Sequence, residues 1–187
     1  MRMIKITSAR FQSFEHNSNK INKYALIGTL EKRQMNCLEK NLLSSYSAIY
    51  FNSVLICDRI KLKSRIFHSI SYSRKGNCDS YTISYTNENL IKYGQINYFL
   101  EYNGHLYASI QVLKIKDCIR NILPSSTGYI YETIKDYLFE KYYKIIEHEL
   151  EKELALINVD CIQNRCILIT SPEFTFITEL KYEFEHD

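Results

Sequence analysis

The clearest pattern of apolar and polar positions lies in two segments, residues 95–102 and 105–113, that flank Asn103-Gly104. Asn-Gly is the pair preferred in a two-residue type I′ turn, because both central positions need positive φ. The pattern therefore predicts a β-hairpin. Its turn fixes the predicted cross-strand pairs, which are Tyr102 with His105, Leu100 with Tyr107, and Phe99 with Ala108.

Both faces of this hairpin carry apolar side chains. One face has Tyr98, Leu100 and Tyr107, and the other has Phe99, Leu106, Ala108, Ile110 and Val112. A two-stranded ribbon cannot bury two apolar faces by itself. We therefore expect the hairpin to lie inside a barrel or sandwich, or to be covered by a helix.

Shorter apolar segments predict further strands around the hairpin. They are Val54–Cys57, Ile60–Leu62, Ile66–Tyr72, Ser80–Thr86, Cys166–Thr170 and Phe174–Phe184. Ser80–Thr86 is expected to return beside Ile66–Tyr72 after a turn at residues 73–77. Residues 24–30 suit either a short strand or a buried turn of helix, whereas apolar steps of three and four between Leu38 and Phe51 indicate a short helix.

The segment after Pro124 is ambiguous between helix and strand. Ile130, Ile134, Tyr137 and Leu138 share a helical stripe, but the apolar positions beyond Tyr142 shift to the other side of that helix. Either one long helix changes its partner, or the helix ends near Phe139 and strands follow at residues 142–146 and 156–159. We favour the short helix followed by strands.

Together these elements predict a mainly β (α+β) fold. We expect a twisted, partly closed antiparallel sheet or barrel of about seven to nine short strands, with one or two peripheral helices. Residues 23–187 are expected to form a single domain and residues 1–22 a loosely held N-terminal segment. A chain of 187 residues buries enough surface to fold without a disulfide or a metal.

Charge adds one functional hypothesis. Residues 59–75 contain six basic side chains and no acidic one: Arg59, Lys61, Lys63, Arg65, Arg74 and Lys75. The first four alternate along the sequence, so on one strand they would share a face, with Ile60, Leu62 and Ile66 behind them. These six residues are the predicted binding site for nucleic acid or an acidic protein. The alternative is that they solvate or protect a sheet edge.

Aromatic residues accompany this basic stretch and could stack on bases. They are Phe67, Tyr72, Tyr81 and Tyr85. The whole chain is also asymmetric in charge, because residues 1–100 hold 15 basic and 6 acidic side chains, and residues 101–187 hold 9 and 15. This asymmetry indicates either a basic binding face with an acidic rear or two halves that attract each other.

No catalytic residue and no cofactor is predicted. Cys161 and Cys166 have no second pair that would complete a zinc site. His148-Glu149 begins an H-E-x-x-H motif, but Lys152 stands where the second histidine is required. Gly-rich phosphate loops and G-x-S-x-G are absent from the sequence.

The expected location is intracellular, in the cytoplasm or the nucleus, with no membrane partner. The six cysteines are spread without a CxxC, and the first residues lack the apolar run of a signal peptide. No stretch approaches the ~20 apolar residues that cross a bilayer. The oligomeric state is not predicted.

Several short motifs resemble a known domain. They are Tyr72-x-Arg74, Cys78-x-Ser80-Tyr81, Tyr93-Gly94-x-Ile96-x-x-Phe99, Tyr107-Ala108-x-Ile110 and Phe184-Glu-His-Asp187. Residues 50–187 thereby resemble the β-rich domain found toward the C-terminus of invertebrate transposon-derived proteins. The resemblance implies an accessory module of a mobile-element protein, with no catalytic residues to transfer.

The functional hypothesis is a non-enzymatic binding or interaction module. Three alternatives remain open: a structural or protein-interaction domain without nucleic-acid affinity, a small hydrolase or nuclease whose site is assembled from distant residues, and a mobile-element remnant without a selected activity.

Overall fold

A computed structural model describes residues 24–44, 53–72, 80–118, 144–146, 153–170, 172 and 175–180. In these residues the chain forms thirteen strands and one α-helix. The strands are β1 (Tyr24–Ile27), β2 (Glu31–Gln34), β3 (Ser53–Cys57), β4 (Arg59–Leu62), β5 (Arg65–His68), β6 (Thr82–Asn87), β7 (Leu90–Tyr102), β8 (His105–Leu113), β9 (Ile115–Cys118), β10 (Lys144–Ile146), β11 (Leu154–Asn158), β12 (Ile162–Thr170) and β13 (Thr175–Glu179). The helix α1 spans Cys37–Ser44, and a 3₁₀ turn spans Val159–Cys161.

The strands lie in two antiparallel sheets. The large sheet has the order β11-β8-β7-β6-β12-β13-β10-β9, and β3 pairs with the second half of β7 while β2 pairs with β3. The small sheet has the order β1-β4-β5. Within the described residues neither sheet closes into a barrel.

The β7–β8 hairpin is the centre of the large sheet, and its prediction is confirmed. Tyr102 pairs with His105, Leu100 with Tyr107, and Phe99 with Ala108. Asn103 and Gly104 have φ of 51° and 74°, as a turn of this kind requires. A register shift between Ile96 and Tyr98 interrupts the ladder further along β7.

Both faces of the hairpin are covered, as expected. Phe99, Leu106, Ala108 and Ile110 belong to a buried cluster that also contains Ile60, Leu62 and Phe67 of the small sheet. Leu100, Tyr102 and Tyr107 belong to a second cluster with Leu43 of α1. The small sheet therefore packs on one face of the large sheet, and α1 packs on the other.

A partly buried ion pair between Arg33 and Glu39 fixes the start of α1. Asn36 Oδ1 accepts a hydrogen bond from the Glu39 amide, and Glu39 Oε2 accepts one from the Asn36 amide, each at 2.8 Å. This reciprocal arrangement is a capping box. The fully buried Glu39 carboxylate also binds the Arg33 guanidinium of β2 and the Tyr98 hydroxyl of β7, so that the helix is tied to the sheet.

The predicted fold class is confirmed, with corrections in the details. The described strands number thirteen, more than the expected seven to nine. Residues 24–27 are a strand, and strands occur at β10 and β11 as expected for 142–146 and 156–159. The prediction that Ser80–Thr86 pairs back onto Ile66–Tyr72 is wrong, because β6 pairs with β7 and β12.

Other expectations fall outside the described residues. They concern the N-terminal segment 1–22, the turn at 73–77 and the helix expected from Tyr129 to Phe139. The domain boundaries therefore remain a prediction. No helix in the described part of the chain is long and apolar enough to span a membrane.

Candidate functional site on the β4–β5 hairpin

The basic residues near position 60 lie on a tight hairpin and not on one strand. β4 and β5 are antiparallel, and the chain reverses at Lys63-Ser64, between the paired residues Leu62 and Arg65. Lys63 has a left-handed φ of 57°. The prediction that Arg59, Lys61, Lys63 and Arg65 share one strand face is therefore wrong.

The pairing of β4 with β5 decides where each basic side chain lies. Cross-strand partners share a face, and Arg59 pairs with His68 while Lys61 pairs with Ile66. These four residues form the surface that we call the outer face. Because the turn has two residues, Leu62 pairs with Arg65, which places Arg65 on the inner face with the core side chains.

Burial agrees with this assignment. Ile60, Leu62 and Phe67 on the inner face are buried, whereas Lys61 is exposed. Ile66 was expected to face the core, yet 37% of it is exposed because it lies beside Lys61 on the outer face. Arg65, half-buried, donates from Nη1 to the Gln163 carbonyl of β12 at 3.4 Å.

A β-turn after β5 brings an aromatic ring onto the outer face. The Tyr72 amide donates to the Ser69 carbonyl at 3.1 Å, which closes the turn. Asp58 supports it, because its Oδ1 accepts hydrogen bonds from the Ser69 and Ser71 hydroxyls at 2.7 and 2.6 Å. The Ser69 amide also donates to the Asp58 carbonyl at 2.8 Å. The turn is thus fastened to the residue that precedes β4.

Tyr72 contacts both outer-face residues of the Arg59–His68 pair. The Arg59 guanidinium carbon is 4.5 Å from the centre of the Tyr72 ring. The His68 ring stacks on Tyr72 with centroids 4.8 Å apart and an interplanar angle of 14°. A cation over an aromatic face is attracted by the ring quadrupole. Guanidinium, phenol and imidazole therefore form one assembly beside Lys61, which we call the Tyr72 stack.

The structure separates the four aromatic residues that were expected to stack on bases. Phe67 and Tyr85 are buried, and Tyr81 packs against the main core cluster. Tyr72 is half-buried and lies on the surface with Arg59. Tyr72 is therefore the member of this set that is placed to meet a ligand.

Sequence reasoning missed Arg165 of β12. Its Nη2 donates to the Ile66 carbonyl at 2.7 Å, and its guanidinium carbon lies 5.6 Å from the centre of the Phe67 ring. This contact covers the edge of β5 that does not pair with β4. No local sequence pattern predicts this contact, because the two residues that hydrogen-bond are 99 positions apart in the chain. Arg74 and Lys75, the remaining predicted site residues, lie outside the described residues.

His68 also contacts a serine. Its Nδ1 lies within hydrogen-bond distance of the Ser80 hydroxyl, and the His68 amide donates to the Ser80 carbonyl at 3.4 Å. A serine beside an imidazole can become a nucleophile when a third group orients the base. The His68–Ser80 contacts join β5 to the residues that precede β6.

Two buried thiols, Cys57 and Cys166, are not suited to nucleophilic chemistry. Burial raises the pKa of Cys57 to about 12 and that of Cys166 to about 12, so both are protonated at neutral pH. Among residues that the structure describes, no group of three or more His, Cys, Asp or Glu side chains could hold a metal ion. The outer face combines the cationic side chains of Arg59 and Lys61 with the aromatic ring of Tyr72.

Comparison of the chain with protein-family models, with curated proteins and with solved structures finds no match. The resemblance of residues 50–187 to a domain of transposon-derived proteins therefore stays a prediction.

Proposed function

We propose that this chain is a non-enzymatic binding module that contacts nucleic acid through the outer face of the β4–β5 hairpin. The observation that carries the proposal is the position of Lys61 next to the Tyr72 stack, with Lys63 at the adjoining turn. Both lysines are exposed. Phosphates and bases are the two chemical groups that such a surface can bind together.

The charge of the small sheet supports this proposal. Its three strands contain Arg59, Lys61 and Arg65 and no acidic residue. Asp58, which adjoins β4, has its carboxylate in hydrogen bonds with two serine hydroxyls. Lysine and arginine side chains bind phosphates and release condensed counterions, which gives affinity that falls with salt.

The aromatic component favours nucleic acid over an acidic protein. An acidic peptide requires only cations, whereas bases also stack on aromatic rings and on guanidinium planes. Arg59 and Tyr72 provide both groups in contact with each other.

A charge reversal tests the proposal. The double variant Lys61→Glu, Lys63→Glu is compared with the matched variant Lys32→Glu, Lys116→Glu, in which two exposed lysines of β2 and β9 change by the same charge. Fluorescence anisotropy with labelled oligonucleotides gives the affinity. We expect the oligonucleotide affinity of the hairpin variant to fall roughly tenfold or more and that of the matched variant to fall much less.

Both variants should keep the melting temperature of the unaltered chain, because all four lysines are exposed. Equal losses in the two variants would attribute binding to net charge and overturn the proposal. A chain that binds polyglutamate but no oligonucleotide would be a module for acidic proteins. One that binds neither would be a structural or protein-interaction domain.

A further inference from the structure

We infer that the nucleic acid bound at the outer face is single-stranded, with unpaired bases against the Tyr72 stack and Ile66 and phosphates at Lys61 and Lys63. This inference rests on the proposed function. It concerns the form of the ligand, which charge alone does not determine. Three features of the hairpin carry it.

The first feature is apolar surface among the cations. Ile66 is 37% exposed and pairs directly with Lys61. The phosphate backbone of a duplex offers little that an exposed isoleucine could bind. Bases that have left the helical stack offer flat apolar faces, so a surface with alternating cationic and apolar side chains suits a single strand.

The second feature is the fixed position of Tyr72. The turn that carries this residue is closed by its own amide and fastened to Asp58 by two serine hydroxyls. The ring is already held by Arg59 and His68 before a ligand arrives. A ring that is ordered in advance loses little conformational entropy when a base stacks against the same assembly.

The third feature is that the hairpin cannot enter a DNA groove. A two-stranded β-ribbon can read the major groove, but it must be free to insert. Here Ile60 and Phe67 attach the inner face to the core, and β1 pairs along β4. Arg165 covers the backbone of Ile66 on the other edge. What remains for a ligand is one sheet face, which a flexible single strand can follow.

The face extends beyond the hairpin onto β1. Ala25 and Ile27 pair with Lys61 and Arg59, so they share the outer face with them. Three strands spaced by about 4.8 Å give a surface roughly 10 Å wide. A four-stranded sheet in another fold stacks two or three unpaired bases, and the three-stranded face here is narrower. The expected contact is therefore a short stretch of the strand.

The test compares a labelled 20-nucleotide single strand with a duplex of the same length at one fixed salt concentration. The unaltered chain should bind the single strand at least about tenfold more tightly, and Tyr72→Leu should weaken single-strand binding by about fivefold or more. Ile66→Asn should also weaken it. Ile91→Asn, at an isoleucine of β7 that is 59% exposed, is the matched control and should have no effect.

The possible outcomes distinguish a failure of the single-strand inference from a failure of the proposed function. Duplex binding as tight as single-strand binding, or variants at Tyr72 and Ile66 that weaken both forms equally, would overturn the inference and leave the proposed function intact. Absence of binding to either form would overturn both. Melting temperatures identify any variant that fails to fold, and Tyr72→Phe, which keeps the ring, should bind as the unaltered chain does.

Discussion

At the scale of single residues, two turn positions decide which basic side chains face the solvent. Lys63 and Ser64 reverse the chain, and Leu62 then pairs with Arg65. Alternation along the sequence assigns Arg65 to the same face as Lys61, but the turn moves it to the inner face. One unrecognised turn is enough to shift every later assignment, because side chains on strands alternate with a period of two.

Lys63 is a position at which substitution by glycine should remove the charge without destabilising the fold. Its φ of 57° is strained for a residue with a Cβ atom, and glycine relieves that strain. We expect Lys63→Gly to change the free energy of unfolding by no more than about 1 kcal/mol, in either direction. Urea denaturation measures this, and a loss of several kcal/mol would show that the lysine side chain supports the hairpin.

Glu39 makes stability depend on pH. Burial would raise the pKa of this carboxyl, but hydrogen bonds from Arg33, from the Asn36 amide and from Tyr98 outweigh it and lower the pKa below its ordinary value. A group with a lowered folded pKa stabilises the fold above its unfolded pKa of about 4.3, and this contribution is lost as the pH falls through the folded value.

Glu39→Gln should therefore destabilise the chain at pH 7 by about 3 kcal/mol, because Arg33 loses a buried partner. The difference between variant and unaltered chain should shrink as the pH falls from 5 toward 2. Thermal unfolding over that range measures it, with Glu31→Gln, an exposed glutamate of β2, as the control. A difference that stays constant with pH would contradict the assigned role of the carboxylate.

At the scale of elements, the β7–β8 hairpin shows what local sequence determines. Asn103-Gly104 predicts both the turn and the register, and the structure has both. Asn36 and Glu39 carry an equally local signal for the start of α1 that the apolar pattern alone did not use. Contacts such as Arg165 with Ile66, or β6 with β12, depend on long-range pairing and leave no local pattern.

The turn glycine provides a test at this scale. A Cβ at Gly104 would meet nothing within 4 Å, so the cost of a side chain there comes from the φ of 74° alone. We expect Gly104→Val to cost about 1–2 kcal/mol and Gly104→Asn clearly less, because asparagine tolerates this conformation. Urea denaturation of both variants measures the difference. Equal costs would show that conformation at the turn is not what glycine supplies.

At the scale of the whole molecule, the fold interleaves the two oppositely charged halves of the sequence. β6 and most of β7 come from the first hundred residues and lie between β8 and β12 from the second part. The small sheet comes entirely from the first hundred residues. The small sheet thereby presents Arg59 and Lys61 on its outer face, while the large sheet brings both halves together.

The most direct test of this account is the dependence of oligonucleotide affinity on salt. The logarithm of the association constant is plotted against the logarithm of salt concentration for the unaltered chain and for Lys61→Gln combined with Lys63→Gly. Each lost phosphate contact with a single strand should reduce the magnitude of the slope by ~0.7, so the account predicts a reduction of about 1.4. A slope identical in the two proteins would contradict it.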